Sequence, residues 1–148
     1  MMRRTVLAFV PLVGLLAGCG TQHPTASELK AVPGAMSSYP GSVAVGGHGA
    51  REGEHTLWSS SPAVILGTFC AAASQLEVTH WFASELGRDG WKAEPNPVGT
   101  TDADVVATEE WRRGRRTFSV QWMSPAYVGR LSAAHGLTCS SSYSVFVQ

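Results

Sequence analysis

"AVILGTFCAAASQLEVTHWFASELGRDGW", residues 63–91, sets two periodicities side by side. Its first eight residues, Ala63 to Cys70, are apolar almost throughout and include Val64, Ile65 and Thr68, which reads as a strand bounded upstream by the turn-forming "SSSP". From Ser74 the spacing changes. Ser74 and Glu77 stand at the separation where each side chain reaches the other residue's backbone N–H, the arrangement of a capping box. Val78, Trp81, Phe82 and Leu86 then recur at helical intervals and make one apolar stripe. Gly90 is placed to end that helix in the left-handed region, which returns Trp91 to the core. A strand followed by a one-faced helix calls for a sheet on which the helix can lie.

The rest of the chain supplies that sheet. "DVVATEEW" (104–111) and "RTFSVQWM" (116–123) alternate apolar and polar residues on either side of "RRGRR", where Gly114 provides a turn, and together they predict a hairpin. "YSVFVQ" (143–148) alternates as a last strand, and Val43 and Val45, after the Pro40-Gly41 turn, as an early one. Thr56 to Trp58 add a short strand after a glycine-rich surface loop, "GGHGAREGEH". "SPAYVGRLSAAHG" (124–136) reads either as a short helix, with Ser124 as cap, Pro125 in first position and Gly136 at the end, or as a long loop. The expected fold is α+β, one principal helix packed on a largely antiparallel sheet of about four to five strands, with one disulfide.

Upstream of the domain, Arg3 and Arg4 precede an apolar run from Val6 to Leu16 that Pro11 and Gly14 interrupt. About 20 apolar residues are needed to cross a bilayer, so this run is too short to span one and reads as an export signal. Its end, Leu16-Ala17-Gly18-Cys19, resembles the lipobox of bacterial lipoprotein precursors. That resemblance implies cleavage before Cys19, a diacylglycerol on its thiol and acylation of the new amino terminus. Several acyl chains at about 0.8 kcal/mol per buried CH2 anchor a protein where one chain does not. Residues 1–18 are then a removed signal peptide, 19–39 a lipidated and flexible polar tether, and 40–148 a single domain on the extracytoplasmic side of the membrane. The stretch 63–91 further resembles a pattern of small uncharacterised exported lipoprotein domains, which implies a fold and no activity.

Removing Arg3 and Arg4 leaves nine Lys and Arg against eleven Asp and Glu, a mildly acidic chain that excludes a strongly basic nucleic-acid binder. With Cys19 acylated, Cys70 and Cys139 form an even pair in an oxidising compartment, and a bond between them is expected. The sequence holds no GxSxG, HExxH, SxxK or phosphate-binding glycine loop, so neither a catalytic motif nor a cofactor site is read from it. His48 and His55 flank Glu52 and Glu54 without the third or fourth firmly held ligand that zinc requires, and no metal is expected. His80 points away from the apolar stripe toward solvent.

Two function classes remain. One is a non-enzymatic binding or accessory module that meets an envelope protein, or an anionic lipid or polymer through Arg112, Arg113, Arg115 and Arg116, which suit bidentate contact with phosphate. In the plainer alternative those arginines keep a sheet edge soluble, with Glu109 and Glu110 as cross-strand partners. The other class is a small hydrolase or ligand carrier whose site is assembled in the fold from His55, His135, Asp102 and Glu109.

Overall fold

The main helix, α2 (Gln75–Arg88), forms as its sequence dictates. The Ser74 side chain accepts the Glu77 N–H while Glu77 accepts the Ser74 N–H. At the other end the Trp91 N–H reaches the Leu86 carbonyl and the Gly90 N–H reaches Gly87, the paired bonds of a Schellman motif, with Gly90 at φ +83°. Val78, Phe82 and Leu86 are fully buried. The computed structural model describes residues 23–148 except His55, Leu57, Trp58 and Val98. The signal, the lipobox and Cys19 therefore lie outside the described residues. Of the strand expected over 56–58 only Thr56 is described, and its N–H bonds across a turn to the Ser59 carbonyl.

Beneath α2 lies an antiparallel sheet of six strands, β1 (Val43–Arg51), β2 (Val64–Ala71), β3 (Lys92–Ala93), β4 (Val105–Arg113), β5 (Arg116–Met123) and β6 (Ser141–Val147). Their spatial order is β1-β2-β6-β5-β4-β3, so the last strand of the chain is inserted between β2 and β5. This corrects the expectation of four to five strands. β3 has only two residues, too few to register as a periodic pattern. The "GGHGAR" stretch, expected as loop, is paired in β1 through a register shift between Ala44 and His48. Gly47, at φ +77°, supplies the backbone conformation that a bulge of this kind requires.

Among the described residues there are also three helices where one was prominent in the sequence. The 124–136 segment is α3 (Pro125–His135), capped by Ser124 and ended by Gly136 at φ +63°. α1 (Ala26–Lys30) lies inside the stretch expected to be a tether. Thr25 and Glu28 cap it, Leu29 and Ala35 are fully buried, and the Ala26 N–H donates to the Glu52 carboxylate at 3.0 Å. The Trp91 indole N–H donates to the Pro33 carbonyl at 2.8 Å, and the Tyr39 N–H to the Tyr143 hydroxyl at 2.9 Å. Residues from Thr25 onward thus pack into the fold, upstream of residue 40. Two small apolar side chains and a leucine in a polar segment leave little periodicity to read, yet they suffice to fill the space beside α2.

The core sits between α2 and one face of the sheet. Phe82 is its hub, with ring centroids 5.6 Å from Phe118, 5.5 Å from Tyr143 and 6.3 Å from Trp111. The register places Ile65, Val147 and Phe118, and likewise Phe69, Tyr143 and Trp122, in cross-strand rows on this face. Cys70 and Cys139 are bonded, with Cα atoms 5.3 Å apart, which ties the loop after α3 to β2. Among the described residues no helix is long and apolar enough to cross a membrane.

Candidate functional site

Because side chains alternate along a strand, the residues between those core rows point to the opposite face of the sheet. The register aligns Leu66, Phe146, Ser119 and Glu110 across β2, β6, β5 and β4, and below them Thr68, Ser144, Gln121 and Thr108. α1 and α2 pack on the core face, and among the described residues no helix residue lines the groove on this polar one. Its hydroxyls bond along the sheet: Thr68 Oγ1 lies 2.8 Å from Ser144 Oγ, and Ser119 donates to Glu110 at 3.1 Å.

The loop at Gly99–Thr101 borders this face and makes a groove of about 570 Å³, floored by Thr117, Ser119 and Gln121 of β5 and by Phe146 and Gln148. Phe146 is 37% exposed there, a large apolar ring surrounded by hydroxyl and amide groups. Glu110 and Arg112 stand at the rim, each already engaged: Glu110 with Ser119, and Arg112 with Glu94 at 2.9 Å. The groove therefore offers neutral donors and acceptors together with one ring face, rather than a free charge. Its residues were half visible in sequence. Thr117, Ser119 and Gln121 alternate with Phe118, Val120 and Trp122, which marks them as outward-facing, but only the insertion of β6 makes the polar rows continuous.

A second groove, about 260 Å³, lies between α3 and the sheet, lined by Val106, Met123, Val128 and Ser140 to Ser142. Trp122 borders it, and its indole N–H is buried without an acceptor among the described residues.

The arginines occupy the tip of the β4–β5 hairpin. Arg113 pairs directly across from Arg116, leaving Gly114 and Arg115 as a two-residue turn. The one positive φ falls on Gly114, at +61°, the first central position, as a type II′ turn requires. The expected partnership with Glu109 and Glu110 takes a different form. Arg112 bonds to Glu94 beyond β3, while Glu109 accepts from Thr79 of α2 at 2.9 Å on the core face. Arg113 lies against the C-terminal end of α2, its Nε 3.6 Å from where a Cβ on Gly90 would stand. Arg116 faces Glu28 of α1. The Glu28 carboxyl is held below its ordinary range first by hydrogen bonds from Thr25 and in smaller part by the Arg116 charge.

The residues proposed for an assembled hydrolytic site are spread over separate elements. Glu109 lies on the helix-covered face, Asp102 in the loop before β4 and His135 in the last turn of α3, while His55 lies outside the described residues. None of the three described residues lines either groove. Among the described residues no three His, Cys, Asp or Glu side chains converge on a point where a metal ion could sit. His80 is exposed on α2. His48 is different: its ring meets Phe69 edge-on at 5.0 Å over Gly67, its Nε2 is buried without a hydrogen-bond partner among the described residues, and burial lowers its pKa.

No family model, curated protein or solved structure matches the chain. The functional reading rests on the molecule's own surfaces.

Proposed function

We propose that this protein is a lipid-anchored, non-enzymatic binding module of the cell envelope, fixed to the membrane through Cys19. The uncovered face of its sheet is the surface that meets the partner. The observation that carries this reading is the groove over β5 and β6. A helix-free sheet face normally sheds its apolar side chains or is covered by a second layer. This one keeps Phe146 exposed among Thr117, Ser119, Gln121 and Gln148 in a groove large enough for a ligand. The lining favours a hydrogen-bonding component of the envelope, because hydroxyl and amide groups dominate it, Arg112 is paired with Glu94 and Glu110 accepts a hydrogen bond from Ser119. Localisation on the extracytoplasmic side follows from the lipobox, and a lipid anchor with a small domain behind it suits an accessory role.

Photo-crosslinking in cells tests this. A benzoylphenylalanine at Gln121, in the groove, is expected to yield a discrete adduct that one at Ser84, on the solvent side of α2, does not. Indistinguishable labelling from the two positions refutes the groove as the binding surface.

A further inference from the structure

The end of the sheet that carries the arginine hairpin is also the end at which the chain enters the fold. Ala26 is held by Glu52, the residue after β1, and the last residue of β1, Arg51, pairs with the first residue of β2. Through Ile65, Val147 and Phe118 that row continues to the start of β5, beside the hairpin turn. Glu28 of α1 faces Arg116 at the same end. The entry point and the arginine tip are therefore neighbours.

Charge is sorted along the same axis. Lys30 closes α1, Arg51 ends β1, Arg88 ends α2 and Lys92 opens β3, all at the hairpin end with the four hairpin arginines. Of the nine Lys and Arg after the signal, only Arg130 lies toward the other end, where it bonds Asp104 at 2.8 Å. Of the carboxylates near the hairpin, Glu28 bonds Thr25, Glu52 bonds Ala26, Glu85 bonds Arg88 and Glu94 bonds Arg112, while Asp89 at the C-cap of α2 and Glu54 after β1 also lie at this end. Among the described residues no ion pair holds Arg113, Arg115 or Arg116.

The length of the leader completes the geometry. Only six peptide steps separate Cys19 from Thr25, the cap of α1, and a fully extended chain of that length reaches at most roughly 20 Å. A tether through residue 39 would have let the domain tumble; six residues hold its entry end at the bilayer.

We propose that the hairpin end is a membrane-facing surface on which Arg113, Arg115 and Arg116 rest against anionic lipid headgroups. The strands then stand away from the bilayer, and the grooved face looks sideways, with Val64, Arg112, Thr117 and Gln148 at its lipid-proximal end. This rests on lipidation of Cys19, the anchor of the function proposed above. Basic side chains near a charged bilayer each add about fivefold to binding at physiological salt, so three are worth roughly 100-fold.

The test uses the full chain, lipidated, in vesicles of phosphatidylcholine with or without phosphatidylglycerol. A benzoylphenylalanine at position 115 is expected to crosslink to lipid at least tenfold more than one at Ala103, beyond the opposite end of the hairpin, and to do so in the anionic vesicles. Equal lipid labelling at the two positions overturns the proposal, as do adducts at 115 that carry wall polymer and no lipid. The Cys19→Ser chain, produced from residue 19 so that the apolar run at Val6 to Leu16 is absent, separates this from the anchor. Its sedimentation with anionic vesicles should fall roughly 100-fold in R113A/R115A/R116A, and several-fold in Arg115→Glu, whose exposed turn position leaves folding intact. Equal binding of the Cys19→Ser chain to neutral and anionic vesicles overturns the surface even where mass spectrometry finds diacylglycerol on Cys19. An unmodified Cys19 with preserved arginine-dependent binding refutes the anchor alone.

Discussion

Leu29→Ala asks whether residues 25–36 belong to the fold or to a tether. α1 has five residues, far below the roughly 12 to 15 at which an isolated helix becomes stable in water, so packing must hold it in place. Its buried side chains are Ala26 and Leu29, and Leu29 is 0% exposed. Truncation has two routes, and both cost energy. If the site keeps its shape, the lost methyl groups and the cavity together cost about 3 kcal/mol, within the two to five typical of buried leucines. If α1 detaches instead, burial of the leucine is lost, about 2 kcal/mol, together with the ordering bonds to Glu52 and Trp91. Either figure is a large share of a total stability of roughly 5 to 15 kcal/mol. Urea unfolding of the oxidised mature protein, followed by tryptophan fluorescence, gives the shift in midpoint. Detachment also lowers the urea dependence, because less surface remains to be exposed. A change below about 0.5 kcal/mol with an unaltered slope refutes the reasoning and restores a tether to residue 39.

Tyr143→Phe should cost about 1 kcal/mol in the same assay, because the hydroxyl accepts the Tyr39 N–H at 2.9 Å and lies 3.0 Å from Ser42 Oγ, and its removal leaves the part-buried Tyr39 N–H without that partner. Replacing Cys70 and Cys139 by alanine releases a 69-residue span of chain, worth roughly 4 kcal/mol by loop-closure entropy, with a fall in melting temperature of ten degrees or more as the readout. Stability should decline as pH falls below about 6.5, the ordinary histidine value, because the unfolded chain protonates His48 while burial resists protonation in the folded state. This component levels off once the folded-state pKa is passed, and in His48→Phe urea titrations it should be absent; an unchanged acid slope refutes the assignment.

Much of the architecture was legible residue by residue, for reasons that are local. Ser74 with Glu77 and Gly90 before Trp91 specify the ends of α2 through bonds made within a few residues of chain. Gly114 between two alternating segments specifies the hairpin in the same way. The loop with a histidine in it was misread as unpaired, because a bulged edge strand has no uniform alternation: Gly47 breaks the period that the pairing of His48 with Gly67 restores. The disulfide followed from parity and compartment, and the fold brings the two cysteines together because β6, which follows Cys139, pairs beside β2.

The site divides along the same line. Periodicity alone tells which residues of β5 face outward, and composition alone concentrates cations at 112–116; both are properties of a short window. Which polar rows become neighbours, and which end of the molecule carries the charge, depend on strand order, and strand order is set by which apolar faces bury each other best across the whole chain. β6 lies between β2 and β5 because its residues from Ser141 to Val145 are buried, which suits a central strand, and that insertion joins Thr117, Ser119 and Gln121 to Phe146 as one groove. The export and lipidation we propose rest on the first 19 residues alone, where a processing enzyme would read linear sequence. That α1 packs into the core was decided by the burial of Leu29 and Ala35 against partners far along the chain.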